Sequence, residues 1–234
     1  AYVCELLGIA ATIFVPETAQ ETKLQNIARF GAKIITVSGD CGVAEIQGRQ
    51  AAVNQNLAFI SPYNDIDIIA GQGTIAREIS DELDTIDAIF VAVGGGGLIS
   101  GISQYYFGKT ERPKIIGCLP QNAPVFSASI AAGHAVSVPS LPTLSDATAG
   151  DIENDSITFD LCREAVDDYV HLIEDNIAEA MRFLLTQQRL VVEGAGALGV
   201  AAVMNSPSRW ADQTIVLVIS GGNVNESVLQ RILL

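Results

Sequence analysis

The chain has 234 residues, of which 49% are apolar and 17% are charged, so it can bury a sizeable core and is not a disordered segment. Its formal net charge of −14 disfavours nucleic acid and anionic lipid as partners, and no Lys/Arg-rich run offsets this charge. No apolar stretch reaches the roughly 18 residues that a membrane span needs, and residues 1–7 lack the basic start of a signal peptide. We therefore expect a cytoplasmic protein with no nucleic-acid or membrane partner.

The first part of the chain alternates short apolar runs with helix-forming segments, which is typical of a parallel α/β unit. We predict strands at 11–15, 33–37 and 57–60 and helices at 1–7, 18–30 and 42–56. The first helix has no capping residue ahead of it, so we expect the chain to be a segment of a longer polypeptide. The turn-rich run from Ser61 to Asp65 predicts a domain boundary at Tyr63.

The rest of the chain also alternates strands and helices, with a proline-rich stretch in the middle. We predict strands at 88–93, 114–119, 169–172 and 214–219 and helices at 68–83, 98–107, 159–166, 175–189, 197–204 and 224–233. Residues 120–152 are predicted to be irregular and functional. The expected fold is α/β, with open parallel sheets and flanking helices. It comprises a smaller domain over 1–63, incomplete at its amino end, and a large domain over 64–234.

Four consecutive glycines, Gly94 to Gly97, stand between an apolar predicted strand and a predicted helix. A helix N-terminus carries unpaired N–H groups and a partial positive charge, and glycines let the backbone approach a bound anion closely. The segment therefore predicts a phosphate site, whereas the nucleotide motif GxxxxGKS/T is absent and GxGxxG is matched only loosely. A tight turn with no ligand is the alternative interpretation.

Two further segments of small residues are candidates for the same site. Ser220-Gly221-Gly222-Asn223 follows the last predicted strand, so the Ser220 hydroxyl would face the crevice at the carboxyl ends of the strands. Its alternative role is to cap a helix at a tight turn. Glu193-Gly194-Ala195 lies between two predicted helices, where the carboxylate either borders a ligand or caps the next helix.

The cysteines do not predict a metal site. Cys4, Cys41, Cys118 and Cys162 include no CxxC pair, and both histidines are distant from them in sequence. We interpret all four cysteines as buried free thiols in a reducing compartment.

Four motifs together resemble those of the serine/threonine dehydratases and serine racemases, which are fold-type II pyridoxal-phosphate enzymes. In chain order they are Gly71-Gln72-Gly73-Thr74, Val93 to Leu98, Glu193-Gly194-Ala195 and Ser220 to Asn223. Their order and spacing are similar over nearly the whole chain. The segment Pro142 to Asp146 also resembles the one that passes the cofactor in these enzymes.

The resemblance implies pyridoxal 5'-phosphate as the cofactor, with its phosphate held by backbone N–H groups of Gly94 to Gly97 and Leu98. Ser220, next to Gly221, would hydrogen-bond the pyridine nitrogen, and Glu193 would lie near the ring and the substrate. A hydroxyl partner leaves that nitrogen largely unprotonated, which suits loss of a β-hydroxyl. The implied activity is a homodimeric dehydratase that converts threonine-like or serine-like amino acids to a 2-oxo acid and ammonia.

The Schiff-base lysine of the family lies upstream of the segment that matches Ala1. The four lysines of this chain match no catalytic lysine and are predicted to be solvated surface residues: Lys23, Lys33, Lys109 and Lys114. Two alternatives to the dehydratase stay open, an amino-acid racemase and a non-catalytic binding protein that keeps the phosphate cradle. An intact mass equal to the 24.7 kDa of this chain would favour the binding protein.

Two places depart from the family pattern. Ala147 follows Asp146 where relatives usually have glycine, so its methyl group would either crowd the cofactor or narrow the substrate pocket. Racemase-type members bind a divalent cation through acidic residues at the positions that here are Leu119 and Val125. Apolar side chains cannot ligate Mg²⁺ or Ca²⁺, so we expect no metal at that site.

Overall fold

The computed structural model describes residues 1–234, which form two compact units, Ala1–Ser61 and Pro62–Leu234. Tyr63 belongs to the second unit because its ring packs against Gly95 and its hydroxyl accepts a hydrogen bond from the Glu153 N–H at 3.0 Å. The units therefore separate two residues before the boundary expected at Tyr63.

The first unit consists of a two-stranded parallel sheet and three helices. Its elements are α1 (Tyr2–Leu7), β1 (Thr12–Pro16), α2 (Glu21–Arg29), β2 (Lys33–Val37) and α3 (Cys41–Gln55). Helix α1 ends at Gly8, whose φ of 67° is the left-handed conformation that glycine adopts without strain. Helix α3 begins after Asp40, whose carboxylate accepts a hydrogen bond from the Val43 N–H at 3.0 Å.

The strand predicted at 57–60 is wrong. These residues pair with no other strand, and Leu57 and Ile60 are 60% and 69% exposed. An apolar run becomes a strand only where a neighbour supplies the other half of the hydrogen-bond ladder, and the sheet of this unit contains only β1 and β2.

The second unit is built on a four-stranded parallel sheet with the order β5-β4-β3-β6. The strands are β3 (Ala88–Ala92), β4 (Lys114–Pro120), β5 (Asp168–Leu172) and β6 (Ile215–Leu217). All five residues of β3 are buried, as expected for a central strand with both faces covered. The predicted α/β class, with parallel sheets and flanking helices, is confirmed.

Helices cover both faces of this sheet. They are α4 (Ile66–Glu82), α5 (Gly97–Tyr106), α6 (Val125–Ala132), α7 (Ile157–Ala165), α8 (Glu174–Gln187), α9 (Gly194–Met204) and α10 (Glu226–Leu233). Phe90 points into the core formed with α8, α9 and α10, whereas Ile89 and Val91 point into the core formed with α4, α5 and α7. None of the helices is long and apolar enough to cross a membrane.

The prediction that residues 120–152 are irregular is wrong in part, because α6 and a short 3-10 helix at Asp146–Thr148 lie there. Helix α6 starts after Pro124 and ends at Gly133, whose φ is 77°. Proline before a helix and glycine behind it are recognised helix-boundary signals. The four prolines between 120 and 142 favoured an irregular segment, so these two signals did not lead to a predicted helix.

The motif Gly71-Gln72-Gly73-Thr74 lies within α4, and its Gly73 packs against α5. An alanine methyl group at Gly101 of α5 would lie 2.6 Å from the Gly73 nitrogen and would overlap the Ile69 carbonyl oxygen. The two helices therefore cross with their backbones nearly in contact.

Candidate cofactor site

The turn from β3 into α5 is made by Gly94 to Gly97. Gly96 is the N-cap residue of α5 and has a φ of 87°, which a residue with a side chain rarely adopts. The backbone N–H groups of residues 94–98 donate no hydrogen bond to any group of the chain. Unpaired N–H groups at the start of a helix form a site of positive potential that suits an anion.

Aromatic and hydroxyl side chains fill the space around this turn. A methyl group at Gly95 would overlap the ring of Tyr63, and one at Gly96 would lie 2.6 Å from Phe126 Cε2. The hydroxyl of Thr158 donates a hydrogen bond to the Gly95 carbonyl at 2.7 Å. Sequence reasoning missed these three neighbours. Tyr63 and Phe126 lay in stretches interpreted as a boundary and an irregular region, and no local pattern marks Thr158.

The Ser220 segment lies beside the glycine turn. Strand β6 pairs in parallel with β3, with Leu217 opposite Phe90, so the residues that follow both strands emerge at the same edge of the sheet. The Ser220 hydroxyl is exposed and makes no hydrogen bond within the chain. Neighbouring strands are about 4.8 Å apart, so both segments lie side by side at the carboxyl edge, where parallel sheets bind ligands.

Glu193 also lies at this edge of the sheet, beside Gly221. Its N–H donates to the Gly221 carbonyl at 3.1 Å, and a methyl group at Gly221 would overlap the Glu193 carboxylate. Glu193 occupies the N-cap position of α9, but its side chain makes no capping hydrogen bond. The structure therefore brings Glu193, Gly221 and Ser220 together.

The segment from Pro142 to Thr148 contacts two glycine-rich turns, one at Gly94 and one at Gly194. A methyl group at Gly194 would overlap the Leu144 carbonyl, and one at Gly94 would lie 3.1 Å from Thr148 Cα. The Leu144 N–H donates to the Glu174 carboxylate at 2.7 Å, which fixes the segment to the start of α8. Ala147 of this segment is exposed and its carbonyl oxygen faces Gly94.

The lysines of the second unit lie away from this edge. Lys114 is the first residue of β4, at the amino end of the strand, and Lys109 follows the last turn of α5. Both are exposed, as is Lys33, whereas Lys23 is half-buried, so its prediction as a solvated residue is wrong in part. No lysine of the second unit is therefore placed to act at the carboxyl edge.

The buried cysteines are not nucleophiles. Burial raises the pKa of the Cys118 and Cys162 thiols to about 12, so neither forms a thiolate at neutral pH. The prediction that all four cysteines are buried is wrong for Cys41, which is exposed, and for Cys4, which is half-buried. No three His, Cys, Asp or Glu side chains are grouped so as to hold a metal ion. Leu119 and Val125 are buried.

The ends of two adjacent strands thus carry a turn with unpaired N–H groups and a hydroxyl with no partner in the chain. An α/β domain with such a site can hold a small phosphorylated ligand. The family model for pyridoxal-phosphate-dependent enzymes matches residues 1–221. The chain belongs to this family, so the predicted resemblance is confirmed, and pyridoxal phosphate is the family's cofactor.

Curated relatives carry dehydratase and racemase names. The chain is 38% identical over 233 residues to an L-threonine ammonia-lyase of Thermotoga maritima, covering 100% of this chain and 58% of the relative. It is 37% identical over 231 residues to a serine racemase of Arabidopsis thaliana, covering 94% of this chain and 68% of the relative. It is 34% identical over 235 aligned positions to an L-threonine dehydratase of Staphylococcus epidermidis, covering 95% of this chain and 54% of the relative. The chain thus spans little more than half the length of the first and third of these proteins.

Solved structures show the same fold. Maize serine racemase superimposes with a TM-score of 0.87 at 29% identity, covering 99% of this chain and 71% of that one. The processed form of threonine deaminase isoform 2 from Solanum lycopersicum gives a TM-score of 0.86 at 29% identity, covering 97% and 66%.

Proposed function

We propose that the protein containing this chain is a pyridoxal-phosphate-dependent dehydratase that converts threonine-like or serine-like amino acids to a 2-oxo acid and ammonia. The observation that carries the proposal is the pairing of β3 with β6. Because of this pairing, the turn at 94–97, whose N–H groups have no partner in the chain, lies beside Ser220. Membership of the family and the name of the Thermotoga maritima relative support it.

The phosphate of the cofactor is assigned to Gly94 to Gly97 and Leu98. Their N–H groups lack partners in the chain, and any side chain at Gly95, Gly96 or Gly97 would displace Tyr63 or Phe126. Hydrogen bonds from several N–H groups to a doubly charged phosphate are charge-assisted and strong. This binding needs no lysine or arginine, which suits a turn that has neither.

Ser220 is assigned to the pyridine nitrogen and Glu193, beside Gly221, to the neighbourhood of the ring and substrate. When bound, pyridoxal phosphate supplies an electron sink for the electron pair left as the α-proton departs. A neutral hydroxyl, unlike a carboxylate, does not hold a proton on the nitrogen, so with Ser220 as partner the ring would withdraw electrons only moderately. Moderate electron withdrawal favours reactions in which the β-hydroxyl leaves soon after the α-proton, over reactions that need a long-lived carbanion.

Dehydratase activity is tested with the intact protein. Supplied with pyridoxal phosphate, it is expected to release 2-oxobutanoate from L-threonine or pyruvate from L-serine, measured as hydrazones. Heat-inactivated protein with cofactor is the control for non-enzymatic release. If no oxo acid forms from any β-hydroxy amino acid although the cofactor is bound, the activity we propose is wrong.

Racemisation is the second candidate, favoured by the likeness to the Arabidopsis and maize serine racemases. The same incubations assayed for D-serine and D-threonine distinguish the two reactions. Inversion without oxo-acid release would assign a racemase. Cofactor binding with neither product would assign a non-catalytic binding protein.

Replacing Ser220 with alanine is expected to lower kcat about tenfold, the loss of one hydrogen bond to the reacting ring. Because this hydroxyl is exposed and makes no hydrogen bond in the chain, the free energy of unfolding should not change. The matched control is Ser227→Ala on the exposed surface of α10, which should alter neither quantity. A Ser220→Ala enzyme with unchanged kcat would remove Ser220 from the site.

The assembly and location of the protein are also part of the proposal. We propose a homodimer in the cytoplasm, with the unit Pro62–Leu234 as the cofactor domain and the unit Ala1–Ser61 as part of a smaller domain. The net charge of −14 argues against a nucleic-acid partner, and the name of the Thermotoga maritima relative supports a small amino acid as the substrate.

A further inference from the structure

Thr158 contacts the glycine turn at the carbonyl of Gly95. Its side chain is fully buried, and its hydroxyl donates to the Gly95 carbonyl at 2.7 Å. The Ser156 hydroxyl lies 2.7 Å from the Thr158 oxygen. Since the Thr158 proton is already committed to Gly95, Ser156 donates to Thr158. Two buried hydroxyls thus form a chain that ends on one carbonyl of the turn.

A carbonyl fixed in this way also fixes the N–H that follows it. The peptide unit is planar and trans, so the C=O of one residue and the N–H of the next point in opposite directions. The Gly95 carbonyl points at Thr158, so the Gly96 N–H points away from it. The Gly96 carbonyl is held in the same manner by the Ser100 N–H at 2.9 Å, which sets the direction of the Gly97 N–H.

We propose that Thr158 is a positioning residue for the phosphate site: it holds the Gly95–Gly96 peptide so that the Gly96 N–H faces the bound phosphate. Glycine supplies no steric preference of its own, so a turn of four glycines needs such an external constraint. The inference rests on the proposed function, because it takes the anion at this turn to be the cofactor phosphate.

The test compares two ligands that differ only in the phosphate. Pyridoxine 5'-phosphate and pyridoxine both lack the aldehyde, so neither reacts covalently with lysines. In Thr158→Val the side chain keeps its shape but loses the donor. Calorimetric titration should show affinity for pyridoxine 5'-phosphate about tenfold weaker than in the wild type, as for one charge-assisted hydrogen bond. Affinity for pyridoxine should stay unchanged.

Two controls separate positioning from a general structural role. Thr158→Ser keeps the hydroxyl and should bind pyridoxine 5'-phosphate within about twofold of the wild type. Thr186→Val makes the same substitution in α8, where the hydroxyl donates to the Arg182 carbonyl at the surface, and should leave both affinities unchanged. If Thr158→Val does not fold, Thr158→Cys, with a weak donor of similar size, takes its place.

The outcomes are distinct. Wild-type protein that binds both ligands equally would overturn the phosphate site itself, and with it both proposals. Wild-type protein that prefers the phosphorylated ligand, with a Thr158→Val variant that keeps that preference, would overturn the role of Thr158 alone. Equal weakening of both ligands by Thr158→Val would assign Thr158 a structural role instead.

Discussion

Replacing Gly101 with alanine should lower the free energy of unfolding by about 3 kcal/mol, the upper part of the range for overpacking a core. The added methyl group would lie 2.6 Å from the Gly73 nitrogen and 2.7 Å from Gln72 Cβ, and it would overlap the Ile69 carbonyl. These neighbours are mainly backbone atoms of a helix, which cannot turn aside as a side chain can. Helices α4 and α5 must therefore move apart.

Urea unfolding of the purified protein measures this loss, and Gly71→Ala is the matched control. Gly71 lies on the exposed side of α4, and a methyl group there meets no atom within 4 Å. Because alanine is about 1 kcal/mol better than glycine in a helix, this variant should be unchanged or slightly more stable. If the Gly101→Ala variant had the same free energy of unfolding as Gly71→Ala, the close crossing of α4 and α5 would be refuted.

The sequence predicted the parts of this molecule that depend on local patterns. The apolar run at 88–93 and the glycines behind it predicted a buried strand and a turn at its carboxyl end, and β3 at Ala88–Ala92 lies there. Parallel strands collect ligands at their carboxyl ends, and this rule alone predicts that Gly94 to Gly97 and Ser220 share one edge of the sheet. The structure adds that β3 and β6 are direct neighbours.

Contacts between distant residues could not be predicted in this way. Thr158 lies 63 residues after Gly95, and Glu153, which holds the Tyr63 hydroxyl, lies 90 residues after Tyr63. Neither contact leaves a periodic signal, because a single hydroxyl or ring at one position has no repeat. The predicted strand at 57–60 failed for a related reason, since strand formation depends on a partner elsewhere in the chain.

Replacing Gly95 with alanine should weaken binding of pyridoxine 5'-phosphate about 100-fold, equivalent to losing two charge-assisted hydrogen bonds. The methyl group would overlap the Tyr63 ring and would lie 2.8 Å from its Cδ2 atom. That ring is 7% exposed and its hydroxyl accepts from the Glu153 N–H, so it cannot swing away. The turn must move instead, which redirects the N–H groups of Gly96 and Gly97.

A double-mutant cycle with Tyr63→Ala tests this cause, with affinities measured by calorimetric titration. If the clash with the ring displaces the turn, removing the ring should restore part of the affinity in the Gly95→Ala background, so the two substitutions would not be additive. Additive losses would show that Tyr63 does not determine the position of the turn. Gly71→Ala, with the same chemical change outside the turn, should bind pyridoxine 5'-phosphate as the wild type does. Glycine at 95 is then required by the ring packed against it, and the free N–H groups depend on that packing.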